Sequence, residues 1–211
     1  QSADILYITH PEFQTRKLTR TGHTAFTITK FEPQDGPYLT DNTTSTTLTI
    51  SDQSVGTGRT LTASANTFAA TDVDRVYRLK DGYGLITGYT SATVVTATVV
   101  VAIGSGSAQT DWALGAWSST TGWPACATFY QDRLFFANTT NQPNTVFSSK
   151  SGDFENFAAN DVSTSAVADD SALIFTLSTD QVNAIRWMYG AKQLELGTSD
   201  GPFLMSSGSD N

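Results

Sequence analysis

The side chains able to do chemistry are few and scattered. His10 and His23 are the only two histidines in 211 residues. Neither has a second ligand type near it in sequence, so no metal site and no general base is built around them. His10 precedes Pro11 at the end of an apolar run and reads as a turn residue. The single cysteine, Cys126, excludes an internal disulfide and a cysteine-based zinc site. Within the alternating run PACATFY it reads as a small buried hydrophobe. No GxSxG-like elbow presents a serine nucleophile, and Ser199 in GTSDG reads as a turn residue that bonds its own backbone.

Paired carboxylates are the next candidates. Asp169-Asp170 and the pair Asp72 and Asp74 are the residue types of glycosidase acids or calcium ligands. A sialidase-like propeller enzyme also needs clustered arginines to clamp a substrate carboxylate. Here Arg16, Arg20, Arg59, Arg75, Arg78, Arg133 and Arg186 are spread along the chain. DVDR lacks the spaced oxygen ligands and terminal Glu of a calcium loop. Trp112, Trp117, Trp123 and Trp187 have faces on which a sugar ring could stack, but packing in a core or between sheets is the expectation for them. GTG and GSGS are not phosphate loops, because no Lys follows and no strand-to-helix context exists. Asn42-Thr43-Thr44 and Asn138-Thr139-Thr140 match glycosylation sequons. No catalytic, cofactor-binding or metal-ligating residue is assigned, and no enzyme activity is expected.

The rest of the composition explains this poverty. Charged residues are only 15% of the chain, whereas Thr, Ser, Asn and Gly are abundant. That is the profile of a turn-rich, all-β protein. A formal net charge of −8 argues against wrapping nucleic acid, because neutralising phosphates needs clustered Lys and Arg. The most compact basic group is Arg16, Lys17 and Arg20, and strand alternation divides it between two faces. The longest apolar run, ATVVTATVVVAIG, is short of a membrane span and is β-branched, so it reads as strand. No secretory-signal pattern opens the sequence, and QSADILYI reads as the start of a piece of something longer.

The elements fall into three parts. DILYITH, RKLTR and AFTITKF are three short strands separated by turn chemistry, followed by the Pro-Gly-Pro cluster of EPQDGPYL. From Asp41 the style changes to small, Thr-rich alternating runs: TLTIS, RTLTAS, VYRLKD, GLITGYT and TVVTATVVV, ending at the Gly-Ser stretch 104–107. We expect 41–108 to form an inserted small β-barrel or sandwich, closed by a flexible linker. Its core should be Leu48, Ile50, Leu61, Val76, Leu79, Ile86, Val95 and Val99. After it come ATFYQD, RLFFAN, TVFSSK and the SGDFENF turn, then ALIFTLS, VNAIRWMYG, QLELGTS and PFLMSS. A helical turn is expected between Thr179 and Arg186.

The flanking parts, 1–40 and 109–211, therefore repeat a meander of short strands closed by an aromatic. This fits propeller-like blades of antiparallel strands. ATFYQDRLFFA is apolar on both faces, as a blade covered on two sides requires. Gln131-Asp132 reads as a two-residue hairpin tip, and SGDF as a turn with a φ-permissive Gly.

Taken as blocks, ADILYITHPEFQTRKLTR, FEPQDGPYL, GWPACATFYQDRLFFANTTNQPNTVFSSKSGDFENF and DDSALIFTLSTDQVNAIRWMYGAKQLELGTSDGPFLMSS resemble the core of tail nozzle proteins of short-tailed bacteriophages. These are also called tail tubular protein B. The middle part resembles a barrel module often embedded in phage tail components. The resemblance implies a structural virion protein made in the bacterial cytoplasm. Other copies of itself would build a hexameric tube below the portal. Its neighbours would be the head–tail adaptor and the tail fibres or spikes, and DNA would pass through without specific binding. The alternative from a different class is a glycan-binding or glycan-cleaving β-protein of the host-attachment apparatus. Only the enzyme requires a deep pocket with converging carboxylates.

Overall fold

Strands dominate the chain, as its Thr-, Val- and aromatic-rich alternating runs require. The computed structural model describes residues 4–178 and 182–205. Its only helical element among those residues is a 3₁₀ turn at Ala70–Asp72, and the fold is all-β. The backbone divides into two units: Gln1–Glu32, Thr121–Glu155 and Ala172–Asn211 form the first, Pro33–Thr120 and Asn156–Ser171 the second.

The first unit contains three antiparallel sheets. β1 (Ile5–His10), β2 (Phe13–Arg20) and β3 (Phe26–Lys30) form a meander. Four strands, β10 (Cys126–Tyr130), β11 (Arg133–Ala137), β12 (Thr145–Ser148) and β13 (Ile174–Thr176), form the second sheet. The third is β14 (Ile185–Gly190), β15 (Leu194–Thr198) and β16 (Pro202–Met205). All five residues of β11 are buried. Phe135 and Ala137 pack with Val146, Ile185, Met188, Leu194 and Leu196 of the second and third sheets. The opposite face carries Phe136, whose ring lies 6.3 Å from Tyr7 and 5.5 Å from Phe31, both from the β1–β3 region. The middle sheet is thus covered on both sides, and its doubly apolar sequence has that cause.

Local turns follow their residues. Gln131 and Asp132 both have positive φ (46° and 57°) between the pairs Tyr130–Arg133 and Phe129–Leu134. This is the two-residue hairpin tip with the twist that antiparallel strands favour. Gly152 supplies φ 72° in SGDF, and its amide donates to the Asp132 carbonyl at 2.8 Å, docking one turn on the other. Phe154 then stacks edge-on against Phe129.

The second unit is built on a six-stranded antiparallel sheet. It contains β4 (Leu48–Ile50), β5 (Gly56–Ala63), β6 (Val76–Leu79), β7 (Gly82–Ser91), β8 (Val94–Val101) and β9 (Trp112–Leu114), in the order β4-β5-β8-β7-β6-β9. The chain leaving β8 runs along the free edge of β4, where Leu48 and Gln109 exchange two backbone bonds of 2.9 Å. It then pairs with β6 as β9, so one segment bonds both edges of a curled, barrel-like sheet. All eight residues expected in its core are buried.

Three expectations differ from the structure. The second unit begins at Pro33 and takes in 109–120 and 156–171, beyond the expected 41–108. The reason is hydrogen bonding: β9 pairs with β6, and the Leu39 and Asn42 amides bond the Leu114 and Trp112 carbonyls. The Gly-Ser stretch is bonded in place: Gly104 donates to Asp81 Oδ1, and the Ile50 amide donates to the Gly106 carbonyl. Of the expected helical turn, residues 179–181 lie outside the described residues; Val182–Ala184 are irregular, and Ile185 and Arg186 already belong to β14.

Candidate functional site

Most residues with chemical potential hold local structure. His10 sits at the end of β1, its Nδ1 accepting the Glu12 amide at 3.2 Å and its ring against Phe13. His23 is exposed in the turn between β2 and β3. Cys126 lies part-buried beside the Phe135 cluster, and burial pushes its thiol up to about 12. The Thr198 hydroxyl is the one that ties the GTSDG turn, donating to the Gly201 carbonyl at 2.7 Å. Ser199 bonds there through its amide, to the Ala184 carbonyl.

Asp72 is a buried anchor. Its Oδ1 accepts from Arg75 Nη1 at 2.8 Å and from the Thr120 hydroxyl at 2.6 Å, while Oδ2 accepts the Ala69 amide. Arg75, also buried, donates from Nε to the Gly115 carbonyl. One ion pair in the second unit thereby holds two backbone groups, the Ala69 amide and the Gly115 carbonyl, and the Thr120 hydroxyl, and both charges are hydrogen-bonded. Asp74 stands in the left-handed region with its amide on the Ile86 carbonyl, and Asp169 and Asp170 are exposed in a turn. Among the described residues, no three His, Cys, Asp or Glu side chains gather as a metal site would require.

The remaining polar clusters also hold backbone. Asp35 accepts the Tyr38 hydroxyl at 2.5 Å, and burial first and this carboxylate second push the phenol well up. The Asp35 carbonyl takes the Phe157 amide, tying 33–38 to 156–158. Asp161 gathers the amides and hydroxyls of Ser163 and Thr164, which hold its carboxyl below the usual range. An open polar cavity of about 200 Å³ in the second unit is lined by Arg78, Lys80, Asp81, Asp111 and the loop 160–165. The Arg78 guanidinium is already committed to Asn160 and the 161–162 carbonyls. Asn42 of the first sequon donates its amide nitrogen to the carbonyls of Thr44, Thr46 and Thr110.

The four tryptophans make no common platform. Trp117 and Trp123 are buried, and Trp112 is half-buried with Nε1 on the Thr46 carbonyl. Trp187 alone is exposed, at 48%. It lies over Gly197, where a Cβ would fall 2.0 Å from its Cε2, so only glycine admits the ring there.

What the structure does present is apolar surface at both ends of the three-sheet unit. On the outer face of β1–β3, cross-strand rows place Leu6, Leu18 and Ile28 together, and Ile8 beside Arg16 and Lys30. Phe26 and Ile28 are 59% and 62% exposed. On the outer face of β14–β16 the rows are Trp187, Gly197 and Pro202, then Tyr189, Glu195 and Leu204. Tyr189 and Leu204 are 60% and 66% exposed. Apolar side chains contiguous on this scale mark interaction surfaces. Sequence reasoning missed them, because period-2 alternation reports two apolar faces without saying which face is covered.

The class that these features define is an all-β protein of stacked, blade-like antiparallel sheets. A comparison with protein-family models finds no match for the chain, and a comparison with curated proteins finds none either.

Proposed function

We propose that this chain is a non-enzymatic structural component of a phage or prophage tail, part of the nozzle through which DNA leaves. The observation that carries the reading is the three-sheet unit with apolar faces at both ends, a building block made to be continued by further protein surface. The employment of Asp72, Asp35 and Asp161 in holding backbone supports it, since these carboxylates are committed to positions where no substrate is needed. The sequence blocks that resemble tail nozzle proteins give the reading its particular form: a tube body assembled from copies of the chain, in contact with an adaptor and fibres. A conduit must let DNA slide, and a net charge of −8 gives no counterion-release gain for holding it. The test is mass spectrometry of gradient-purified particles from the source culture. Peptides of this chain should co-purify with the major capsid protein at a fixed small ratio. Their complete absence from intact particles overturns the reading.

A further inference from the structure

We propose that the outer face of β1–β3 in one copy binds the outer face of β14–β16 in a second copy, head to tail. The inference rests on the self-assembling reading above and names the surfaces that would carry it. Two unpaired charges motivate it. Among the described residues, Arg16 has no ion-pair partner and stands between Ile8 and Lys30 in a cross-strand row. Glu195 likewise has none and stands between Tyr189 and Leu204. One apolar face thus carries a central cation and the other a central anion.

The same charges bear on the mode of association. Two β1–β3 faces brought together would bring the Arg16 cations of both copies into one interface, with Arg20, paired with Asp4, at the rim. Two β14–β16 faces would bring Glu195 of both copies into one interface together with Arg186 of the β14 bulge, so charge does not disfavour this pairing. Like charges meeting at a desolvated interface disfavour the pairing of two β1–β3 faces, whereas the unlike pairing sets Arg16 toward Glu195. Shape chemistry agrees: aliphatic Leu6, Ile8 and Ile28 oppose the aromatic Trp187 and Tyr189, a surface rich in the residue types that anchor interfaces. Because the two patches differ, the association is heterologous and continues until it closes into a ring or extends as a filament.

Sedimentation velocity of the whole chain over a concentration series tests this. Species larger than dimer should grow with concentration. Glu195→Lys and Arg16→Glu should each weaken association on the order of tenfold or more, and the double swap should recover most of the loss. Both side chains stand partly exposed on outer faces, with no ion pair among the described residues to lose, so melting temperatures should stay unchanged. In a second measurement, copies carrying Ile28→Cys should cross-link to copies carrying Leu204→Cys, and neither to itself. A monomer at every concentration, a complex that stops at a two-fold dimer, swaps that leave association unaltered, or cross-linking within one variant alone would each overturn the proposal. Association of the purified chain by these faces stands or falls separately from its presence in virions.

Discussion

Phe135 and Phe136 are consecutive on β11, and their rings are buried on opposite faces of one sheet. Phe135 joins the Met188 and Leu194 side, and Phe136 the Tyr7 and Phe31 side. Phe135→Ala and Phe136→Ala should each cost about 3–5 kcal/mol, because neither side can collapse without moving a whole sheet. Domains are stable by only about 5–15 kcal/mol, so denaturant midpoints should fall steeply for both. Ile28→Ala, on an exposed face, should change the midpoint by no more than about 0.5 kcal/mol. Equal small effects at all three positions would contradict the doubly covered sheet.

Two buried polar residues of the second unit should respond with opposite signs. Asp72→Ala strands the buried Arg75 cation without its partner and should cost about 3–5 kcal/mol. Tyr77 lies in the barrel-like core with a buried hydroxyl that has no hydrogen-bond partner. Tyr77→Phe removes that orphaned group while keeping the ring, and should stabilise by about 1 kcal/mol. Chemical denaturation of the two variants beside the parent checks both signs.

Much of this was legible in the sequence, and the part that was not has a common cause. The alternating runs of the second unit gave seven of the eight core residues expected, because a curled sheet with one inner face imposes period 2; Val76 is buried outside that cluster, and its neighbour Tyr77 takes the inner position. Gln131 and Asp132 were readable as a hairpin because two apolar runs leave room for nothing longer. Trp112 to Leu114 misled, since its aromatic style matches the flanking part while its backbone completes the sheet of β6. The excursion 156–171 has no strand and no pattern, and its membership is decided by long-range bonds such as Phe157 to Asp35. The Asp72–Arg75 pair was not legible in DVDR, where Asp72 and Asp74 were weighed only as glycosidase acids or calcium ligands, because burial of an ion pair leaves no mark in spacing. The same holds for Lys17, whose partner Glu155 is far away in sequence at 2.6 Å.

The thiol of Cys126 should be nearly inert in the folded chain. Raised to about 12 from an ordinary 9.0, it holds a thiolate fraction at pH 8 on the order of 10³ lower than an exposed cysteine. Labelling by a disulfide reagent should therefore be slow until pH rises toward 12 or denaturant is added. Fast labelling of the native chain at pH 8 would show the packing around Ala137 and Tyr130 to be open.

Duplex DNA should not bind at physiological salt. Of the basic group on β2, Lys17 is paired with Glu155 and Arg20 with Asp4, and Lys17 faces away from Arg16 and Arg20. Too few phosphates can be neutralised to reach the roughly 10⁻⁴ to 10⁻⁶ M of nonspecific binders. Fluorescence polarisation with a labelled duplex, from low to physiological salt, checks this. Saturable micromolar binding at the higher salt would mean a protein that grips DNA.

Whether the chain is a tail component is tested most directly by immunogold electron microscopy of intact particles from the source culture, with antibody raised against the purified chain. The account predicts gold at the tail, below the head and on the particle axis. Particles that carry the chain's label on the capsid alone, or that stay unlabelled while free protein in the lysate is labelled, would contradict it.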